Sequence, residues 1–145
     1  EYQEKIKEST ADFNNLSTRK VIYHSDYFDS GTWYKTWLPE ISSFGVVQGL
    51  VSNRQGSWFC GVTGGIKLEI EGTGIYIYLG FNNPYIGGYK NFGELSYTNR
   101  DPKYGYDKSS NNSPKVLKLN RYKLQIVQTE SDIAQMAIVY QLSNS

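Results

Sequence analysis

The chain has 145 residues, with 15 Lys plus Arg against 14 Asp plus Glu, a formal net charge of +1. That length makes one domain able to bury roughly two thirds of its unfolded surface without disulfide or metal staples. The balanced charge speaks against a protein built to grip a phosphate backbone, so no nucleic-acid partner is expected. What stands out is the aromatic content of 13 Tyr, 6 Phe and 3 Trp. Tyrosine carries an apolar ring with a polar tip, which suits a surface that meets a half-wet partner.

Residues 1–17, EYQEKIKESTADFNNLS, are polar and charged. Tyr2, Ile6 and Phe13 follow a weak helical period, so a short polar N-terminal arm or helix is expected there, with the main domain over 18–145. From Thr18 the character changes. TRKVIYH, TWYKTWL and FGVVQGLV are short β-prone segments split by Asp, Ser, Gly and Pro. Trp33 and Trp37, four apart in TWYKTWL, fall on one strand face and read as core. VTGGIKLEIE alternates, and Gly72-Thr73-Gly74 is a tight connection into GIYIYLGF, where Ile75, Ile77, Leu79 and Phe81 share one face. Asn82 to Pro114 is rich in loop-forming residues, and NRDPKYGYDKSSNNSP within it reads as a long exposed loop. Two closing strands follow near YKLQIVQT and IAQMAIVYQL, joined by a turn at Glu130-Ser131-Asp132. Many short strands with almost no helix predict an all-β, single-domain antiparallel β-sandwich.

The scarce residues narrow the chemistry. One Cys and one His leave no intramolecular disulfide, no Cys-based zinc site and little material for a His-centred relay. Cys60, in SWFCGVTGG, reads as a small buried apolar residue and not as a partner of His24. Glu69 and Glu71 alternate with Ile66, Leu68 and Ile70, which places them on the solvated face of a strand and not in a catalytic pair. The glycines of GVTGGI lead into a strand, so no helix N-terminus waits for a phosphate. No enzyme activity, catalytic residue, metal or cofactor is expected. No apolar run approaches the ~20 residues of a membrane-spanning helix. The chain opens at Glu1 and not at Met, as a processed or a trimmed sequence does, and secretion is compatible with this. Asn15-Leu16-Ser17 and Asn111-Asn112-Ser113 match the glycosylation triplet.

The tyrosine excess concentrates between positions 85 and 106, at Tyr85 and Tyr89 in FNNPYIGGYKNF, residues 81–92, and beyond it at Tyr97, Tyr104 and Tyr106. Leaving a strand through Asn82, Asn83 and Pro84, the chain turns over one end of the sandwich, where β-scaffolds place binding loops. Tyr85 and Tyr89, with Lys90 beside them, suit two ligand classes. One is a lipid headgroup, whose quaternary ammonium stacks on tyrosine faces. The other is a sugar, stacking on a ring while Asn82 and Asn83 bond its hydroxyls. The bland alternative is that both tyrosines seal the end. Trp58, after the polar turn Asn53–Ser57, is a candidate interfacial wedge. Lys115, Lys118, Arg121 and Lys123 form a basic cluster that reads as a solvated strand face.

The order of these features resembles known families. Gly31-Thr32-Trp33 is followed by Cys60-Gly61-Val62-Thr63-Gly64 and its alternating strand. Next come Asn82-Asn83-Pro84-Tyr85, then Gly88, Tyr89 and Lys90, and the hairpin from Tyr122 to Leu142 closes the chain. This arrangement is similar to the aegerolysins, including the small component of binary insecticidal toxins, to the sea-anemone actinoporins and to fungal fruit-body lectins. The resemblance implies a secreted β-sandwich cytolysin that binds sphingolipid headgroups of target membranes, or glycans, without catalysis. It also implies that a second toxin component or a self-oligomer assists any pore. The candidate lipid- or glycan-binding site is Asn82, Asn83, Pro84, Tyr85, Tyr89, Tyr104 and Tyr106, with Trp58 added from its place beside the polar turn. The Ser-x-Pro of actinoporins stands here as Asn82-Asn83-Pro84, their Arg-Gly-Asp is missing, and the N-terminal segment is short of a membrane-inserting helix, so lipid binding is expected ahead of unaided pore formation.

Overall fold

The computed structural model describes residues 8–52, 61–83, 88–131 and 135–145. Eleven strands and one short helix follow in chain order: β1 (Glu8–Leu16), β2 (Val21–Ser30), β3 (Thr32–Lys35), β4 (Glu40–Ile41), β5 (Val46–Ser52), β6 (Val62–Ile70), β7 (Ile75–Asn83), β8 (Lys90–Ser96), α1 (Lys103–Asp107), β9 (Val116–Leu119), β10 (Tyr122–Ser131) and β11 (Gln135–Asn144). They form a β-sandwich, as expected, from a six-stranded sheet in the order β3-β5-β1-β11-β10-β9 and a five-stranded sheet in the order β4-β2-β6-β7-β8. Every pairing is antiparallel except β1 with β11.

The β6–β7 hairpin forms where Gly72 and Gly74 permit it. Both take positive φ, +76° and +74°, which a side chain would oppose, and the Thr73 hydroxyl donates back to the Ile70 carbonyl at 2.7 Å. Register places Ile66, Leu68, Ile77, Leu79 and Phe81 inward, where they are buried against Phe13, Val47, Val51, Leu124, Ile126 and Tyr140 of the other sheet. Trp37 anchors this core. Its indole N–H donates to the Ala11 carbonyl at 2.7 Å, and its ring meets Phe13 at 5.7 Å, Trp33 at 5.5 Å and Tyr140 at 6.2 Å. Trp37 is therefore a core residue and Trp33 packs half-buried against it, as expected, although Trp37 lies beyond the end of β3 and the two do not share a strand face.

Three expectations change. The N-terminal segment is not an arm or helix where it is described: residues 8–16 are β1, held antiparallel to β5 and parallel to β11 in the middle of the six-stranded sheet. Ser9, Ala11, Phe13 and Asn15 point inward and are buried. Two of those four are polar, which hides the alternation. Nor is the stretch 99–114 a long exposed loop, because it contains α1, packed on the outer face of the five-stranded sheet. Phe44, expected in a strand, sits in a turn and is 69% exposed.

Candidate functional site

Strand β7 delivers the chain to the end of the sandwich. Asn82 lies on the outer side of the sheet, opposite Thr63 on β6 and Lys90 on β8. Asn83 is wholly buried, so only Asn82 of the two asparagines sits on the outer face. The side-chain oxygens of Asn82 and Thr63, a cross-strand pair, are both buried without a hydrogen-bond partner, an arrangement that polar groups in proteins avoid. Tyr89 is half-buried and packs on the core, while Gly88 and Lys90 are exposed. Just inward, the Asn91 amide donates to Gln128 Oε1 at 2.6 Å and its oxygen accepts from Lys115 Nζ at 2.6 Å. Burial holds the Lys115 ammonium below its usual pKa range. Pro84, Tyr85 and Trp58 lie outside the described residues.

Tyr104 and Tyr106 belong to a different part of the surface. They ride on α1 because Gly65 and Gly80, directly paired across β6 and β7, leave room for it. A Cβ on Gly80 would stand 2.0 Å from the Gly105 carbonyl oxygen, and one on Gly65 would stand 2.2 Å from that of Pro102. The helix roofs the outer face of the sheet, which is why β6 is buried on both sides at mid-strand.

Under and beside this roof the tyrosines are paired with cations of the same chain. Lys67 Nζ lies 4.6 Å from the Tyr76 ring and 6.0 Å from that of Tyr78, and it donates to Asn99 Oδ1. The Arg100 guanidinium lies 4.4 Å from the Tyr104 ring, with Lys108 Nζ at 5.9 Å. Lys103 Nζ is 5.8 Å from Tyr27. The Tyr104 hydroxyl donates to Glu94 Oε1 at 3.1 Å. Burial first, and the Glu94 carboxylate second, hold its pKa above the usual range. Tyr106 meets Tyr27 at 5.6 Å, and burial together with Asp29 raises its pKa too. A ligand ammonium approaching these rings would compete with cations already in place.

The expected site therefore divides. Asn82 and Tyr89 stand at the strand end, and Tyr104 and Tyr106 on the sheet face. The two meet where Ser110, beyond α1, pairs with Asn91 beside Lys90. The face also holds Tyr27, Lys67, Tyr76, Tyr78 and Arg100, which sequence reasoning missed. The available signal was the period of two in GIYIYLGF: once Ile75 and Ile77 point inward, Tyr76 and Tyr78 must point out. A shallow groove of about 450 Å³ opens beside Tyr104, lined by Arg100, Asp101, Lys103, Tyr104 and Asp107.

His24 Nε2 pairs with Glu69 Oε1 at 2.8 Å on an accessible strand face. Among the described residues no group of three His, Cys, Asp or Glu side chains could hold a metal. Asn15 is fully buried, so its glycosylation triplet is not an acceptor in the folded protein.

The fold is shared with known proteins. A solved structure described as the lipid-binding protein Nakanori matches with a TM-score of 0.80 at 13% identity, over 95% of this chain and 71% of that one. A lectin from Xerocomus chrysenteron carrying three substitutions matches with a TM-score of 0.58 at 12% identity, over 97% of this chain and all of that one. The wild-type lectin matches at 0.56 and 12%, over 95% and 99%. No protein-family profile and no curated protein sequence matches the chain.

Proposed function

We propose that this protein is a secreted, non-enzymatic binder of membrane lipid headgroups, of the cytolysin type, working through the sandwich end that carries Asn82, Tyr89 and Lys90. The observation that carries the reading is this tyrosine-bearing end on a fold that superposes over 95% of the chain on a lipid-binding protein. Tyr89 would supply an aromatic surface at headgroup depth and Lys90 a cation for lipid phosphate. Sphingolipid headgroups are the proposed class. Residues 8–16 are not available as an inserting segment, because freeing them breaks the pairing of β1 with both β5 and β11. Any pore would then depend on a second component or on self-assembly at the membrane.

Flotation with liposomes of sphingomyelin, ceramide phosphoethanolamine or phosphatidylcholine, read together with dye leakage, tests this. Binding to at least one lipid, weakened about tenfold or more by Lys90→Ala or by the pair Tyr85→Ala and Tyr89→Ala, is the expected result. No binding to any of the three, or variants that bind as the wild type does, would sink the proposal.

A second reading has its own observation. The groove at Arg100, Asp101, Lys103, Tyr104 and Asp107 offers an aromatic flank, acids and bases, which is the chemistry of a sugar subsite, and the fold is also that of a lectin. A saturable hit on a glycan array, competed by free sugar and lost in Tyr104→Ala, would favour it.

A further inference from the structure

At the opposite end of the sandwich from Asn82 and Tyr89, the turn between β4 and β5 projects Phe44 into solvent. Its backbone takes φ +62°, the left-handed region, which a bulky side chain enters only under strain. The turn is held rigidly from beneath. The Asn15 amide donates to the carbonyls of Arg19, Ile41 and Ser42 at 2.8, 3.1 and 3.1 Å. Its oxygen accepts from the Ser17 hydroxyl and N–H at 2.7 and 3.1 Å. The Asn15 N–H donates to the Gly45 carbonyl and the Gly45 N–H to the Ser42 carbonyl, both at 2.8 Å, while the Ser43 hydroxyl donates to the Ser17 carbonyl. A buried polar knot thus fixes a strained turn whose one large side chain makes no use of the core.

Phe44 is not isolated. Leu38, Val46 and Leu16 are 63%, 59% and 40% exposed. Asn14 pairs with Val46, so Leu16, one step further along the same face of β1, comes level with Phe44. Leu38 and Val46 line one open groove of about 430 Å³. The same end carries two exposed arginines, Arg19 and Arg121, that form no ion pair among the described residues. Its acids, Glu40 and Glu71, are both taken by Lys20, at 3.2 and 4.0 Å. An apolar prominence on an end that also carries uncommitted guanidiniums complements a bilayer, with acyl chains beneath and phosphates around it.

We propose that Phe44, with Leu38 and Val46, is a lipid-inserting wedge, and that Arg19 and Arg121 meet headgroup phosphates. The inference takes only the ligand class from the proposed function; its residues lie at the other end. Two lipid-facing ends separated by strands of nine or ten residues, roughly 30 Å, would let one molecule bridge two bilayers.

The test places an environment-sensitive fluorophore at Phe44→Cys or at Gly88→Cys, where an added side chain meets nothing within 4 Å, each in a Cys60→Ser background, and adds vesicles of equal parts phosphatidylcholine and sphingomyelin. Insertion of the wedge predicts a blue shift and severalfold gain for the label at 44. A response at 88 alone would leave the lipid reading standing and overturn the wedge. A response at 44 alone would support the wedge and move the lipid site away from Tyr89. Silence at both positions would overturn both. Phe44→Gly separates function from folding, because glycine accepts the positive φ. It should melt no lower than the wild type yet bind the same vesicles about tenfold more weakly. Unchanged affinity, or a lipid-free dimer in light scattering that disappears with Phe44→Gly, would overturn the wedge.

Discussion

On the outer face of the five-stranded sheet, Lys67 lies over Tyr76 and bonds Asn99 beside a helical roof. On the outer face of the six-stranded sheet, Lys118 and Lys123 stand directly opposite each other, with Val116 and Val127 bare to solvent nearby at 49% and 60% exposure. The same residue type is used in two ways because Lys67 is shielded from water and the lysines of the open face are not. Beneath the helix a lysine loses hydration and must be compensated by ring faces and an amide. On the open face two like charges tolerate each other across a ladder because solvent and salt screen them. On the edge strand β9, Lys118 also discourages another chain from adding to the sheet. Of the basic cluster, Lys118 and Lys123 accordingly stand on a solvated strand face, whereas Lys115 bonds Asn91 and Arg121 lies in the turn between β9 and β10.

The sharpest way to break this contrast is to lift the roof. In Gly80→Val the new Cβ collides with the backbone of Gly105, and we expect a loss of about 3 kcal/mol, roughly 10 °C in Tm, by thermal unfolding. Val127→Thr on the open face should stay within ~0.5 kcal/mol of the wild type. Next in size is Lys67→Met, which leaves Asn99 without its donor and the Tyr76 ring without its cation. It should cost about 1 kcal/mol in denaturant unfolding, and an equal loss from Lys118→Met would erase the distinction between the faces. Tyr104→Phe, which removes the hydroxyl held by Glu94 at 3.1 Å, should cost ~0.5–1 kcal/mol.

The smallest effect concerns Asp12 on the open face. Burial raises its pKa, opposed in part by Lys35. A carboxyl whose folded pKa lies above its unfolded value favours the folded state fully only below the unfolded value, and that contribution is lost as pH rises through the folded one. At neutral pH Asp12→Asn should therefore stabilise, by no more than a few tenths of a kcal/mol given the exposure of the site. The advantage should vanish below about pH 4. A variant equally stabilised at pH 3 would show that the gain has another cause.

Much of the sandwich was legible where side chains alternate cleanly. Ile75, Ile77, Leu79 and Phe81 mark the inner face of β7, and Gly72 and Gly74 mark the hairpin before it. The closing strands were equally readable, and so was Trp33 with Trp37. Strand β1 was not, because its inward residues include Ser9 and Asn15, polar groups whose place depends on partners. Asn15 earns its position from carbonyls 4, 26 and 27 residues away, and β1 itself pairs with a strand more than a hundred residues later. Nothing local announces either. The candidate site was half legible for the same reason. Asn82 and Tyr89 lie at one strand end as the turn residues indicate, whereas Tyr104 and Tyr106 depart from it because Gly65 and Gly80 meet only across a ladder.

By itself, then, the chain determined its class, its most regular hairpin and the unusual supply of tyrosine, since these follow from period, turn chemistry and composition. Only the tertiary structure decided where the tyrosines go. Three glycines distant in sequence converge to seat a helix, and that helix excludes water from a face whose rings must then be answered by the chain's own cations. Phe44 shows the converse. An apolar residue that local pattern places in a strand is held in an exposed turn by a hydrogen-bonded knot that exists only once both sheets are in place.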